Sequence, residues 1–357
     1  MRRLRKPLLL LCASLLLLCA AEWTERLFFA DSLEEQNIHA EAARRYAAAG
    51  MLEPVEQDGL RYMGRPCAEV TLRGVTYSHN SLGLRGPEPE EPRPDGLYRI
   101  LLLGDSNTYG WGVPFEQTFG RLTEERLNRL DRAGTPGAGD RRFEVINAGF
   151  VGYNTGDALA LFRRLDRTLS PDLVLLIWYA NDLERFGFHV SHAGRLFCDP
   201  LPLPDAWKPA LWRSYLYRTL SICQLSRLKA SGRFVLGEGD NLTYGEARLL
   251  ELEAAVVAQG ARFALVDLPV LEPSPGSSMV TPEGYCAAAS SEWLANIAGR
   301  RSIPLLSFLE SISDRAAARY WVLLDPPDRH PNALAHERFA EALTRFLTEQ
   351  VLVPPDR

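Results

Sequence analysis

From residue 98 onward, short apolar runs alternate with longer stretches of helical periodicity. The runs begin at Tyr98, Phe143, Leu173, Phe263 and Ile303, and each is short and almost continuously apolar, which marks strands buried on both faces. Between them lie helical stretches at 115–130, 157–169, 244–259 and 283–300, and a last helix begins near Asn332 and runs to 352. Strand and helix in regular alternation imply a parallel sheet covered on both sides. The expected fold is therefore a three-layer α/β/α sandwich around a mostly parallel, flavodoxin-like five-stranded sheet.

The pattern differs before residue 98. Residues 21–49 have helical composition with few breakers and suggest a stalk or packing helix, and residues 60–86 read as short strands punctuated by glycine. The stretch 87–94, EPEEPRP with its neighbours, reads as a solvated linker. This divides the chain into residues 1–21, a lead-in at 22–97, and a main domain at 98–352. An insertion at about 184–240 interrupts the alternation and carries Phe186, Phe188, Phe197, Trp207, Trp212, Tyr215 and Tyr217. Two readings stand for it. Its rings form an aromatic wall beside a site, or an amphipathic helix at 211–228 buries them in a second small core.

Composition narrows the class. A hydrophobic content of 46% over 357 residues supports a large core, and 40 basic against 45 acidic residues leave a formal charge of −5, with no basic excess for nucleic acid. The amino terminus has the pattern of an export segment: Arg2, Arg3, Arg5 and Lys6 precede a leucine-rich run at 7–21. Two outcomes follow from it. The run stays as a signal anchor in an inner membrane, extended by Trp23, Leu27, Phe28 and Phe29, or it is cleaved after Ala21. Either places the protein outside the cytoplasm, in the cell envelope. Export opens disulfide pairing among Cys67, Cys198, Cys223 and Cys286, with buried small hydrophobes as the plain alternative. No Cys-x-x-Cys occurs, and His189 and His192 lack a third ligand in sequence, so no metal or organic cofactor is expected.

The candidate chemistry begins at Gly104-Asp105-Ser106, directly after the run at 98–103. Sheets of this class present their reactive groups beyond the carboxyl ends of the strands. Asp105 and Ser106 also suit the cap of a following helix, so the tripeptide alone decides nothing. Serine acyl transfer further needs a base, a carboxylate behind it, and donors for the developing oxyanion. Asp328-Arg329-His330 supplies the first two. Gly152 follows the strand at 143–147, and Asn181 follows the strand at 173–178.

These blocks, in the order Ser, Gly, Asn and His, resemble the SGNH or GDSL-type hydrolases over residues 98–352. The segment HNSLGLRG at 79–86 is similar to a lead-in found in bacterial members. The resemblance implies Ser106 as nucleophile and first oxyanion donor, Gly152 and Asn181 as the other donors, and His330 as base with Asp328 behind it. Asn107 stands where GDSL has leucine, and Ala180 where glycine usually precedes the asparagine. Pro327 occupies the usual carboxylate position, so the role falls to Asp328, with Asp325 as the alternative. A Gly-x-Ser-x-Gly elbow is absent from the sequence, against an ordinary α/β-hydrolase. The implied activity is an esterase with an acyl-serine intermediate, its substrate an acyl ester, by resemblance one on envelope carbohydrate. An O-acyltransferase on the same residues, or a non-catalytic scaffold, are the alternatives. His336 is expected to be structural. Tyr109 and Trp111 either line the pocket or pack the helix start.

Overall fold

The computed structural model describes residues 2–28, 41–57, 59–132, 141–183, 188–190, 196–204, 207–230, 240–268, 280–281, 284–308 and 330–352. The main sheet consists of β5 (Leu97–Gly104), β6 (Arg142–Gly149), β7 (Leu173–Trp178), β10 (Arg262–Asp267) and β11 (Leu305–Ser307), after four strands of the lead-in and two of the insertion. Its spatial order is β11-β10-β7-β5-β6, and every pairing in it is parallel. The expected fold class is the one observed.

The pleat divides the core into two layers. Leu101 and Leu103 of β5 join one cluster, and Ile100 and Leu102 the other, as the period of two requires. On the first face pack α5 (Thr155–Leu169), α7 (Asp240–Ala258) and α8 (Cys286–Arg301); on the second lie α4 (Phe119–Arg132) and α9 (Ala333–Phe346). The helical stretch expected at 115–130 divides into a 3-10 turn, Phe115–Gln117, and α4, because Thr118 is extended between them. The fifth strand starts at Leu305 rather than at Ile303, which is held back by its own N–H bond to Ala298.

The lead-in folds onto the first face. It comprises α2 (Glu41–Ala48), the hairpin β1 (Leu52–Gln57) with β2 (Leu60–Gly64), and the hairpin β3 (Glu69–Leu72) with β4 (Val75–Ser78). Tyr46, Met51, Tyr62 and Tyr77 are buried in the same cluster as the sheet. Residues 41–48 thus pack against the domain rather than hold it at a distance, because Tyr46 and Ala47 in the second turn of this two-turn helix are buried.

The amino-terminal helix α1 (Arg2–Phe28) meets the insertion helix α6 (Tyr215–Ala230). Glu22 accepts from Ser214 Oγ, Tyr215 N and Leu216 N at 2.7, 2.9 and 3.0 Å, so a carboxylate from another element caps α6. Among the described residues no helix is long and apolar enough to cross a membrane. Within the insertion, strands β8 (Phe188–Val190) and β9 (Leu196–Cys198) form a hairpin. Phe197, Trp212 and Tyr217 make a separate buried cluster, with Phe197 and Trp212 stacked 4.0 Å apart. The second-core reading of these rings holds for that trio, while Trp207 stays 60% exposed. Cys67 and Cys223 are free thiols at the surface, so neither the disulfide reading nor the buried-hydrophobe reading applies to them.

Candidate active site

Register brings the candidate segments together. Gly104 at the end of β5 pairs with Gly149 of β6 and with Ile177 of β7. The residues just beyond these three positions therefore emerge side by side at the carboxyl edge of the sheet. They are Ser106, Gly152 and the 3-10 turn Ala180–Leu183 that holds Asn181.

Ser106 opens the single-turn helix α3 (Ser106–Tyr109). Asp105 caps that turn, accepting from Asn107 N at 2.8 Å and from the Asn107 amide at 3.0 and 3.1 Å. Asn107 is thus the partner that fixes the cap. The turn lies hard on the strand ends: a Cβ at Gly104 would come within 2.2 Å of Thr108 Oγ1, and one at Gly149 within 2.6 Å of Tyr109 N. Both positions need glycine for this approach. Asn147 ties the two segments, its amide donating to Thr108 O at 2.8 Å.

Ser106 Oγ and His330 Nε2 are 2.7 Å apart, across 224 residues of sequence. Both residues are half-buried. The His330 ring also lies 6.3 Å from the Trp111 ring. Two residues past His330, Asn332 caps α9 by accepting from Ala335 N at 3.1 Å, so the histidine is set by the start of the last helix. Asp328 and Asp325 lie outside the described residues, as does the side chain of Asn181. Gly152 adopts φ +78°, in the turn that Tyr153 N closes onto Phe150 O at 3.2 Å. Among the described residues, no protein acceptor takes the N–H of Ser106 or of Gly152.

Residues 102–338 match the GDSL-like lipase/acylhydrolase family. The chain belongs to this family. It is an ester-bond hydrolase by that membership. Similar solved structures include TesA, 18% identical over 71% of this chain and 99% of its own with a TM-score of 0.44. Others are the psychrotrophic esterase EstA from Pseudoalteromonas sp., at 17% identity, 70% and 96% coverage and TM-score 0.41, and the acetyl xylan esterase AlAXEase, at 16%, 69% and 97%, and 0.37. At TM-scores under 0.5 these likenesses add no argument to the family match. No curated protein matches the chain.

Several supports of this candidate site escaped the sequence reading. Asp182, next to Asn181, is buried and accepts from Tyr179 N at 2.7 Å and Thr155 Oγ1 at 3.1 Å, which ties the Asn181 turn to the start of α5. Burial holds its carboxyl well above the usual carboxylate range, and the nearby Asp105 adds to the effect. Arg85 is 2% exposed and donates to Tyr109 O, Gly110 O and Val113 O at 2.8, 2.6 and 2.7 Å. Its guanidinium also stands 4.8 and 4.9 Å from the Tyr77 and Tyr109 rings. One buried cation from the lead-in thereby fixes the loop that follows Ser106. Tyr109 and Trp111 are both buried against Tyr46 and Tyr77 and so belong to packing, with Trp111 reaching His330 as well.

Two of the other histidines, His79 and His336, are structural. His79 bonds Tyr46 Oη at 2.9 Å, and burial lowers its pKa to about 4. His336 accepts from Phe119 N at 3.2 Å through Nδ1, and burial lowers its pKa to about 3. His189 is buried and stacks on Phe197, while His192 lies outside the described residues. Among the described residues no group of His, Cys, Asp and Glu is placed to hold a metal.

Proposed function

We propose that the chain is a serine esterase that works through a covalent acyl-Ser106 intermediate. The observation that carries this reading is the 2.7 Å contact between Ser106 Oγ and His330 Nε2 at the carboxyl edge of β5. In the proposed sequence, His330 takes the proton as Ser106 Oγ bonds to the ester carbonyl carbon. The carbonyl π pair moves onto oxygen, where the N–H groups of Ser106 and Gly152 and the amide of Asn181 receive it. Collapse breaks the bond to the alcohol, which leaves with the proton from His330. Water then repeats the steps and frees the carboxylic acid. Asp328 is proposed to hold the imidazole in the tautomer that this exchange needs.

The substrate class in this reading is an O-acyl ester on envelope carbohydrate. Export is part of the proposal, supported by four basic residues ahead of the uncharged, leucine-rich run at 7–21. The test is hydrolysis of p-nitrophenyl acetate by the full chain and by Ser106→Ala. Turnover by the wild type and none by the variant is the expected result. Adding a sugar acceptor reports on transfer, since an acyl-enzyme accepts either nucleophile. Product that is mainly acylated sugar would replace hydrolysis by acyl transfer.

A further inference from the structure

A polar space opens where the loop carrying Gly152 runs into α5. Its volume is about 410 Å³, within the ~300–1,000 Å³ usual for small-molecule sites. It begins at Asn154, two residues past Gly152, and follows α5 as far as Arg163, roughly 14 Å along the helix at 1.5 Å per residue. The lead-in, the insertion and α7 close the other sides.

The lining is cationic in a chain that is acidic overall. Arg61, Arg163, Lys208 and Arg248 face it against two carboxylates, Asp157 and Asp199, while the whole chain carries −5. The arginines are each held by a carboxylate. Glu251 takes Arg163 Nη2 on one oxygen at 2.6 Å and Arg248 Nη1 on the other at 2.7 Å, which sets guanidinium groups from α5 and α7 side by side. Asp157 holds Arg61 at 2.6 Å, and Lys208, 5% exposed, donates to the Asp199 carbonyl at 3.0 Å. Guanidinium groups ordered in this way suit a planar carboxylate, which takes two parallel N–H donors. Glu251 reduces the cationic surplus from two charges to one, so a neutral polyol would leave it unused and a dianion would exceed it. A single carboxylate on a saturated ring suits both halves of the lining, the carboxylate on the arginines and the C–H face of the ring on Leu159, Leu201 and Leu203.

We propose that this cavity binds the acidic-sugar portion of the ester substrate, a hexuronate-like unit recognised by Arg163 and Arg248 at the end of the cavity away from the Gly152 loop, with the rest of the substrate running along α5 toward that loop. The inference rests on the esterase reading of Ser106. Its test is an NMR titration of the full chain carrying Ser106→Ala with glucuronate, with glucose and inorganic phosphate as comparison probes at one pH and ionic strength. Glucuronate is expected to bind at least tenfold more tightly than either. Arg163→Gln combined with Arg248→Gln is expected to weaken glucuronate at least tenfold. Arg163→Gln alone, at a side chain 44% exposed, gives a weakening in the same direction and serves where the double variant fails to fold. Glucuronate no tighter than glucose, phosphate as tight as glucuronate, or arginine variants that bind like the parent would each overturn the proposal. Failure of the esterase reading is distinguishable, because it shows as absent p-nitrophenyl acetate hydrolysis by the wild type while this binding readout needs no turnover.

Discussion

At the scale of single residues, the site depends on groups that never touch substrate. Arg85 bridges three carbonyl oxygens of the loop after Ser106, and a lysine, with one ammonium on a flexible stem, cannot span that set. Arg85→Lys should therefore lower kcat on p-nitrophenyl acetate by roughly tenfold or more, about 1.4 kcal/mol of barrier, with KM little changed. Circular dichroism should show the variant folded; an unchanged kcat would remove the positioning role. His336 makes a second prediction. Its folded pKa, about 3, lies below the unfolded value near 6.5, so the unfolded chain binds the proton and the native chain does not. Stability is full above about pH 6.5 and falls as pH drops toward 3, by at most ~1.4 kcal/mol per pH unit from this group. His336→Asn should make urea midpoints less sensitive to pH between 6.5 and 4.5, with His79, whose own value is about 4, contributing the remainder across that window. A variant as pH-sensitive as the wild type would assign the dependence to other groups.

At the scale of elements, the strands were legible because parallel strands covered on both faces must be apolar throughout. Residues 98–103, 143–147 and 173–178 lie wholly within observed strands. The positions of Ser106, Gly152 and Asn181 just past strand ends were legible for the same reason. The supports were not legible. Arg85 looks like any charged residue until folding places two tyrosine rings and three carbonyls around it, and Asp182 looks like an exposed acid until α5 and β7 close over it. Glu22 also gave no sign that it would cap a helix almost two hundred residues away. That cap predicts that Glu22→Ala speeds hydrogen exchange at Tyr215 and Leu216, the first amides of α6. Unchanged exchange there would mean the two helices part in solution.

At the scale of the whole molecule, the lead-in and the catalytic domain form one packed body. Tyr62 Oη donates to Val151 O at 2.6 Å, and Tyr153 Oη donates to Tyr62 O at 2.5 Å, so β2 fixes the Gly152 loop just as Arg85 fixes the Ser106 loop. The family match starts at Leu102, yet both halves of the proposed site are braced by residues before it. Export is tested on the same scale by fractionation, which should place the chain with the cell envelope; recovery in the cytoplasm would remove that part of the proposal. The account as a whole turns on Ser106 as the nucleophile. The direct measurement is intact-mass and peptide mapping of the full chain after reaction with a fluorophosphonate. One adduct on the peptide containing Ser106, absent in Ser106→Ala while that variant stays folded, is the predicted result. An adduct that survives in the variant, or a wild-type protein that hydrolyses esters without ever forming one at Ser106, would contradict it.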